Sequence, residues 1–255
     1  MDYDSLSLTY WQEQIARIVE ARRRIAERTS WVEEGRIVPG DEDLIIGTGR
    51  RLDMAVMFLD LCGFSTRPSG NLQEQELLLR ALNLFFTEMI KIAEDYGGVV
   101  EKNTGDGLMA YFNDNEGNPP ADGCKRAVAA AMTMFHTNGQ LISPIMRNSQ
   151  LEDFRFRIGI DYGSVTIAQI GAARRFGSLV AVGNTANIAC KMLRVAGPNE
   201  IVIGENVQRQ LPIFWQIQWC RLRLPNTGWI YRSTGNPYRF FTYFGRWILP
   251  QGNSR

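Results

Sequence analysis

The hydrophobic and polar positions of the chain follow first a strand period and then a helix period, and this alternation repeats. The apolar run MAVMFLDL is rich in β-favouring residues and predicts a buried strand over residues 54–61. The segment NLQEQELLLRALNLFFTEMIKIAEDYGG has helical spacing and ends in paired glycines, which predicts a long helix. VVEKN, the turn TGDG and LMAYF then predict a β-hairpin, and an alanine-rich helix follows over about residues 121–137.

The second half of the chain continues in the same manner. FRFRIGIDYGSVTIAQIG predicts two strands joined at Tyr162-Gly163, and LVAVG predicts a further strand. TANIACKMLRVAG predicts a helix and EIVIG another strand. The order β-α-β-β-α-β within residues 54–160 is that of a ferredoxin-like α+β core.

An amphipathic helix is predicted over residues 9–29, ahead of this core. Thr9 is the predicted N-cap, with Gln12 in the capping-box position. The simplest role of this helix is packing, and a role in dimerisation or partner binding is the alternative. A connection over residues 33–50 leads into the first core strand. The apolar side of the helix comprises Trp11, Ile15, Ile18, Val19 and Ile25.

The composition is that of an ordinary globular protein with a sizeable core, at 255 residues, 45% hydrophobic and 22% charged. A net charge of +1 gives no overall attraction to nucleic acid, and no apolar segment is long enough to span a bilayer. The start MDYDS does not resemble a signal peptide, and the four cysteines form no CxxC pair, so we expect a cytoplasmic protein with reduced thiols. The only histidine, His136, excludes zinc sites built on histidine pairs.

The C-terminal part has an unusual charge balance. After Glu205 there is no acidic residue, yet there are seven arginines and four of the six tryptophans. A nucleic-acid-binding module is one interpretation. Because the arginines are spread singly between strand-like runs, we favour a β-rich end of the same domain that supplies cations to an anionic substrate.

Two aspartates stand where buried strands end. Asp60 follows the first apolar run, and Asp106 lies between glycines in the hairpin turn. A buried carboxylate is costly unless it is paired, hydrogen-bonded or bound to metal. In the split β-α-β-β arrangement the first strand lies beside the hairpin, so the two carboxylates can converge on divalent cations. Such a site suits two-metal catalysis on a phosphate ester.

Four segments, MAVMFLDLCGFS, VEKNTGDGLMAYF, FRIGIDYGSV and AVGNTANIACKMLRVAGPNEIVIGENV, resemble class III nucleotidyl cyclase catalytic domains in order and spacing. The resemblance covers about residues 50–210 and implies a catalytic domain over 50–255, after the helix and connection of 1–49. It also implies a homodimer with composite interface sites, two Mn²⁺ or Mg²⁺ ions per site, and conversion of a nucleoside triphosphate to its 3′,5′-cyclic monophosphate and pyrophosphate.

The resemblance assigns roles to individual residues. Asp60 and Asp106 match the metal-binding aspartates, and Leu61 matches the residue that lends a backbone carbonyl to one ion. Asn187, in GNTAN, matches the asparagine that positions the ribose. The backbone amides of Cys62, Gly63 and Phe64 are expected to approach the substrate triphosphate, and Phe58 is expected to contact the substrate.

The chain departs from the family at two cationic positions. Lys191 stands where an arginine usually steadies the transition-state phosphate, and lysine supplies the charge without the bidentate fork. No lysine follows Lys191, so Arg232 is the candidate for the family's lysine that binds the terminal phosphates.

The base-reading positions suggest a nucleotide. They hold Lys102 and Val180. At these two positions adenylate cyclases usually have lysine and aspartate, and guanylate cyclases usually have glutamate and cysteine. Lysine is only a donor and valine accepts nothing, so the pair suits uracil, which presents two carbonyl oxygens. Arg50 and Arg51 could add further donors.

This pattern is similar to that of the bacterial pyrimidine cyclases of anti-phage signalling, and we predict a uridylate cyclase. The alternatives are an adenylate cyclase with an atypical base pocket and a degenerate domain that binds nucleotide without turnover.

Overall fold

The computed structural model describes residues 5–27, 49–103, 105–114, 122–149, 151–170, 178–223, 227–231 and 234–248. Within these ranges the chain forms one mixed sheet of eight strands. The strands are β1 Gly49–Leu61, β2 Val99–Asn103, β3 Gly107–Asn113, β4 Phe156–Ile170, β5 Ser178–Val182, β6 Ile201–Gly204, β7 Cys220–Arg223 and β8 Phe240–Tyr243.

The helices are α1 Leu8–Glu27, α2 Leu72–Asp95, α3 Asp122–Thr137, α4 Ser143–Asn148, α5 Asn184–Met192, α6 Glu205–Gln210 and α7 Ile213–Trp219. A 3-10 turn spans Phe64–Thr66, and a π-helical turn spans Asn138–Ile142 between α3 and α4. None of the helices in the described ranges is long and apolar enough to cross a membrane.

The strand order is β2-β3-β1-β4-β6-β8-β7, with β5 paired to the far end of β4. The pairs β1–β3, β1–β4 and β2–β3 are antiparallel, and β6 runs parallel to β4. The series β1-α2-β2-β3-α3-β4 therefore confirms the predicted ferredoxin-like core.

Both faces of the central part of β1 are covered, which explains why residues 54–59 are apolar without interruption. Ala55, Met57 and Leu59 face the main core with α2 and α3. Met54 and Val56 point the other way and pack with residues of α5. Since side chains alternate along a strand, Asp60 lies on the α5 side of the sheet.

The predicted turn at Tyr162-Gly163 is wrong, because β4 runs through both residues and pairs with β1 along its length. The glycine serves helix packing instead. A Cβ atom on Gly163 would lie 2.8 Å from the Thr185 hydroxyl oxygen, and one on Gly159 would collide with the Ala189 carbonyl. Glycines on β4 therefore let α5 approach the sheet closely.

The N-terminal helix begins one residue earlier than predicted and is capped differently. The Tyr10 amide donates to the Ser7 hydroxyl at 3.2 Å, so Ser7 takes the capping role assigned to Thr9. Trp11 is buried and its ring contacts His136, which is close to the end of α3 as predicted. Of the other predicted apolar positions, Ile18 is buried, Ile15 and Val19 are 37% and 61% exposed, and the side chain of Ile25 lies outside the described residues.

The C-terminal part continues the sheet, as predicted, but two short helices, α6 and α7, precede its strands. Several of its arginines bind within the chain. Arg209 pairs with Glu205 at 2.6 Å, and Arg223 pairs with Glu200 at 2.8 Å. These two guanidinium groups are therefore already neutralised by carboxylates.

The chain around Tyr238 covers a fully buried carboxylate. Asp161 on β4 is 2% exposed and accepts a hydrogen bond from the Tyr238 hydroxyl. Burial disfavours the charged form and raises the pKa of Asp161 from 3.8 to about 7.

Asp161 should make stability depend on pH. Its pKa is higher in the folded chain, so its contribution is full below pH 3.8 and is lost as the pH rises through about 7. Relative to Asp161→Asn, the wild type should lose about 4 kcal/mol of unfolding free energy between acidic and mildly alkaline buffer. Urea unfolding of both proteins measures this, and a difference that stays constant with pH would contradict it.

Candidate active site

The two predicted metal aspartates meet where β1 pairs with β3. Asp60 lies opposite Gly107, and Asp106 immediately precedes that glycine. The Leu61 amide donates to the Asp106 carbonyl at 2.8 Å, which ties the two segments together. Gly105 has φ 93°, a left-handed conformation that favours glycine and lets the turn place Asp106 beside the end of β1.

The side chain that Asp60 meets is Arg157, which the sequence reasoning missed. Arg157 lies opposite Asp60 in the β1–β4 register. Its Nε and Nη2 atoms donate to one Asp60 carboxylate oxygen at 2.8 and 2.7 Å. The pair is half-buried, with 23% of the Asp60 side chain exposed. In the sequence, Arg157 is recognisable only as an arginine within the apolar strand segment FRFRIGI. Its role follows only from its partner on the neighbouring strand, Asp60.

The donor set fits a hard divalent cation. Asp60 and Asp106 offer carboxylate oxygens, and such ions accept carboxylates, backbone carbonyls, water and phosphate oxygens. Within the described ranges no group of three or more His, Cys, Asp or Glu residues could hold a metal ion, so the substrate or backbone would have to complete the coordination. A cation at Asp60 would compete with the Arg157 guanidinium.

The loop after β1 is held close to β4. Leu61 is 4% exposed, and the Cys62 amide donates to the Arg155 carbonyl at 2.7 Å. A role for this amide on a triphosphate would require that bond to break or be shared. Gly63 has φ 68°, and Phe64 opens the 3-10 turn, so the amides of these two residues remain candidates.

Helix α5 carries the other predicted catalytic residues. Its inner side packs Ala186 and Ala189 on the sheet, whereas Asn187 and Lys191 are exposed and four positions apart. Residues at this spacing lie on the same side of a helix. Among the described residues no hydrogen bond or ion pair links Asn187 or Lys191 to Asp60 or Asp106. Within one chain the two aspartates and the two α5 residues therefore form two separate groups.

The strand register separates Arg50 and Arg51 from the aspartates. Arg50 pairs with Ile167, ten positions along β1 from Asp60, which is about 33 Å of strand. The Arg51 Nε donates to the Ser164 hydroxyl at 2.5 Å. Within one chain these arginines therefore lie toward the other end of β1 from Asp60, and their role as donors to the base stays a prediction.

The remaining base-site candidates are placed only by their backbones. Lys102 pairs with Met109 near the aspartates, and Val180 pairs with Ala168 near the opposite end of β4. The register of one chain does not make them neighbours. Their side chains, that of Arg50 and all of Arg232 lie outside the described residues. Phe58 is half-buried on the α5 side of β1.

Comparisons with known proteins find nucleotide cyclases. Residues 48–221 match the family model of the adenylate and guanylate cyclase catalytic domain. A uridylate cyclase of Burkholderia cepacia is 29% identical over 171 residues, covering 65% of this chain and 71% of that protein. A cytidylate cyclase of Staphylococcus aureus is 28% identical over 134 residues, covering 51% of this chain but only 31% of that protein.

Solved structures share the fold. The adenylyl cyclase CyaB from P. aeruginosa superposes with a TM-score of 0.63 at 23% identity, covering 78% of this chain and 96% of that one. The family model covers most of the chain, including β1, both aspartates and α5. The chain therefore belongs to the class III family of adenylate and guanylate cyclase catalytic domains.

Proposed function

We propose that the chain is a nucleotidyl cyclase that converts a nucleoside triphosphate, preferentially UTP, to its 3′,5′-cyclic monophosphate and pyrophosphate. The observation that carries this proposal is the pairing that brings Asp60 and Asp106 to one end of the β1–β3 ladder. Two carboxylates beside an arginine form a site for cations together with an anionic substrate.

Each side chain then has a defined task. Asp60 and Asp106 hold Mg²⁺ or Mn²⁺, and ions bound there would lower the pKa of the ribose 3′-hydroxyl and neutralise the triphosphate. Arg157, released from Asp60, binds a phosphate oxygen. Asn187 orients the ribose for attack of the 3′-oxygen on the α-phosphorus, while the bond to pyrophosphate breaks and the 3′-hydroxyl gives its proton to solvent water. Lys191 offsets the charge that develops on the transferred phosphate.

We further propose that the active unit is a homodimer. Asn187 and Lys191 are exposed on α5, and among the described residues neither is hydrogen-bonded or ion-paired to the aspartates of the same chain. A second copy could present these side chains to Asp60 and Asp106. Two symmetric sites would then form at a twofold interface.

The preference for UTP rests on Lys102 and Val180 and on the likeness to a uridylate cyclase. An exocyclic amine opposite valine would be left without an acceptor, at a cost of about 1–3 kcal/mol. This corresponds to roughly ten- to more than a hundred-fold discrimination against CTP and ATP. The relative that acts on cytidylate makes CTP the most informative competitor.

Incubating the protein with each of the four nucleoside triphosphates and Mn²⁺, then separating the products, tests this proposal. Cyclic UMP should dominate, and Val180→Asp should raise the relative turnover of CTP and ATP. Cyclic AMP as the main product would replace the uridylate assignment with an adenylate cyclase. Nucleotide binding without any cyclic product would indicate a degenerate domain.

A role in anti-phage defence is part of the proposal and rests on the resemblance to pyrimidine cyclases of that system. Cells carrying the wild-type chain and its effector should resist infection better than cells carrying Asp106→Ala. Equal plating of phage on both strains would contradict the role.

A further inference from the structure

A cavity of about 420 Å³ lies away from the candidate active site, where the end of α3 and the π-helical turn meet the segment leading into β4. The chain after β8 closes it with Arg246 and Trp247. Its volume falls in the range of sites for small molecules. None of the residues assigned to the cyclase reaction lines it.

Asn138 links two segments of the cavity wall. It is 6% exposed, and its Nδ2 donates to the Phe154 carbonyl at 3.0 Å. This bond ties the π-helical turn to the segment that leads into β4.

The wall also carries an excess of positive charge. Arg147 is neutralised by Asp153 at 3.0 Å, whereas Arg155 and Arg246 have no carboxylate partner among the described residues. Arg246 is held by the carbonyls of Asn199 and Gly245 at 2.9 and 2.8 Å. These bonds fix a guanidinium group in the wall before any ligand arrives, which lowers the entropy cost of binding an anion.

The Arg246 guanidinium is also held against an aromatic ring. It lies 4.8 Å from the centre of the Phe135 ring, which in turn stacks on Phe156 with ring centres 4.2 Å apart. This packing further restricts the guanidinium group.

We propose that this cavity is an effector site for a small molecule that bears a phosphate or carboxylate group. The anionic group binds Arg155 and Arg246.

The site is mechanically linked to the active site. The Arg155 carbonyl accepts the Cys62 amide at 2.7 Å, in the loop that follows Asp60. Two residues further along, Arg157 binds Asp60 itself. A ligand that draws Arg155 toward the cavity therefore acts on both the loop and the Asp60 ion pair. This regulatory part rests on the proposed cyclase function, whereas the binding part does not.

Binding is tested without turnover, using inorganic phosphate as the probe on the full chain labelled with 5-fluorotryptophan. The ¹⁹F resonance of Trp247, assigned with Trp247→Phe, should shift on titration in the millimolar range at constant ionic strength. Arg155→Ala should weaken the apparent affinity about ten-fold. Arg80→Ala, an exposed arginine of α2 outside the cavity, is the matched control and should bind as the wild type does.

A Trp247 resonance that does not move at tens of millimolar phosphate, or an equal shift in Arg155→Ala and Arg80→Ala, overturns the binding site. For the effector role, phosphate should change cyclase turnover in the wild type and in Arg80→Ala but not in Arg155→Ala. Turnover that responds identically in all three proteins, with the ¹⁹F shift present, overturns the regulation and leaves the binding result standing.

Discussion

Asp60→Ala is expected to lower cyclase turnover by at least about a hundred-fold, because metal ions that stabilise transition-state charge contribute several kcal/mol. The same substitution should change the free energy of unfolding by no more than about 1 kcal/mol, because the ion pair with Arg157 is half-exposed and such pairs contribute little. Steady-state kinetics with Mn²⁺ and urea unfolding measure the two effects. Asp106→Ala should lose turnover to a similar degree.

Two control variants separate a metal role for Asp60 from a structural one. Asp53→Ala removes an exposed aspartate from the same strand and should leave turnover unchanged. Arg157→Ala removes the competing cation but keeps the carboxylate, so Mn²⁺ should bind Asp60 more tightly while the KM for nucleotide rises. Near-normal turnover in Asp60→Ala, or loss only in proportion to unfolding, would refute the metal role.

Arg157 also changes the expected stability of the aspartate variants. Two close carboxylates alone would predict that removing either one stabilises the metal-free protein. The guanidinium already compensates Asp60, so Asp60→Ala removes an attraction together with any repulsion. We therefore do not expect stabilisation from this variant.

The local elements could be predicted because their signals are local. The apolar run at 54–61 and the paired glycines after α2 each depend on a few neighbouring residues. Gly163 was misinterpreted because a glycine in a strand can mark either a turn or a close packing partner. Only the position of α5, which brings Thr185 over the strand, distinguishes the two.

The composition of the site was harder to predict, because it depends on contacts between residues distant in sequence. Asp60 and Arg157 are 97 positions apart, and only the β1–β4 register makes them partners. The sequence gives Arg50 only as a possible donor to the base. The register adds that it lies ten positions from Asp60, toward the other end of an extended strand.

The arrangement of the chain also explains why one copy would be insufficient for catalysis. Asp60 and Asp106 lie at the β1–β3 ladder end, whereas Asn187 and Lys191 extend from the outer side of α5. Metal-ion catalysis needs both groups around one substrate, within hydrogen-bonding distance of the reacting atoms. In the proposed twofold dimer, each group would lie opposite its counterpart in the other copy.

Mixing two inactive variants should therefore restore activity. In a dimer of Asp106→Ala with Asn187→Ala, one site combines the intact aspartate of one copy with the intact asparagine of the other, and the second site carries both substitutions. After random subunit exchange half of the dimers are mixed, so turnover should recover to roughly a quarter of the wild-type value. Mixing Asp60→Ala with Asp106→Ala is the matched control and should restore nothing, because both substitutions affect the same half of every site. No recovery in the test mixture, once exchange is verified by mass spectrometry, would place Asp106 and Asn187 of one site within a single chain. Recovery in the control would show instead that Asp60 and Asp106 of one site come from different chains.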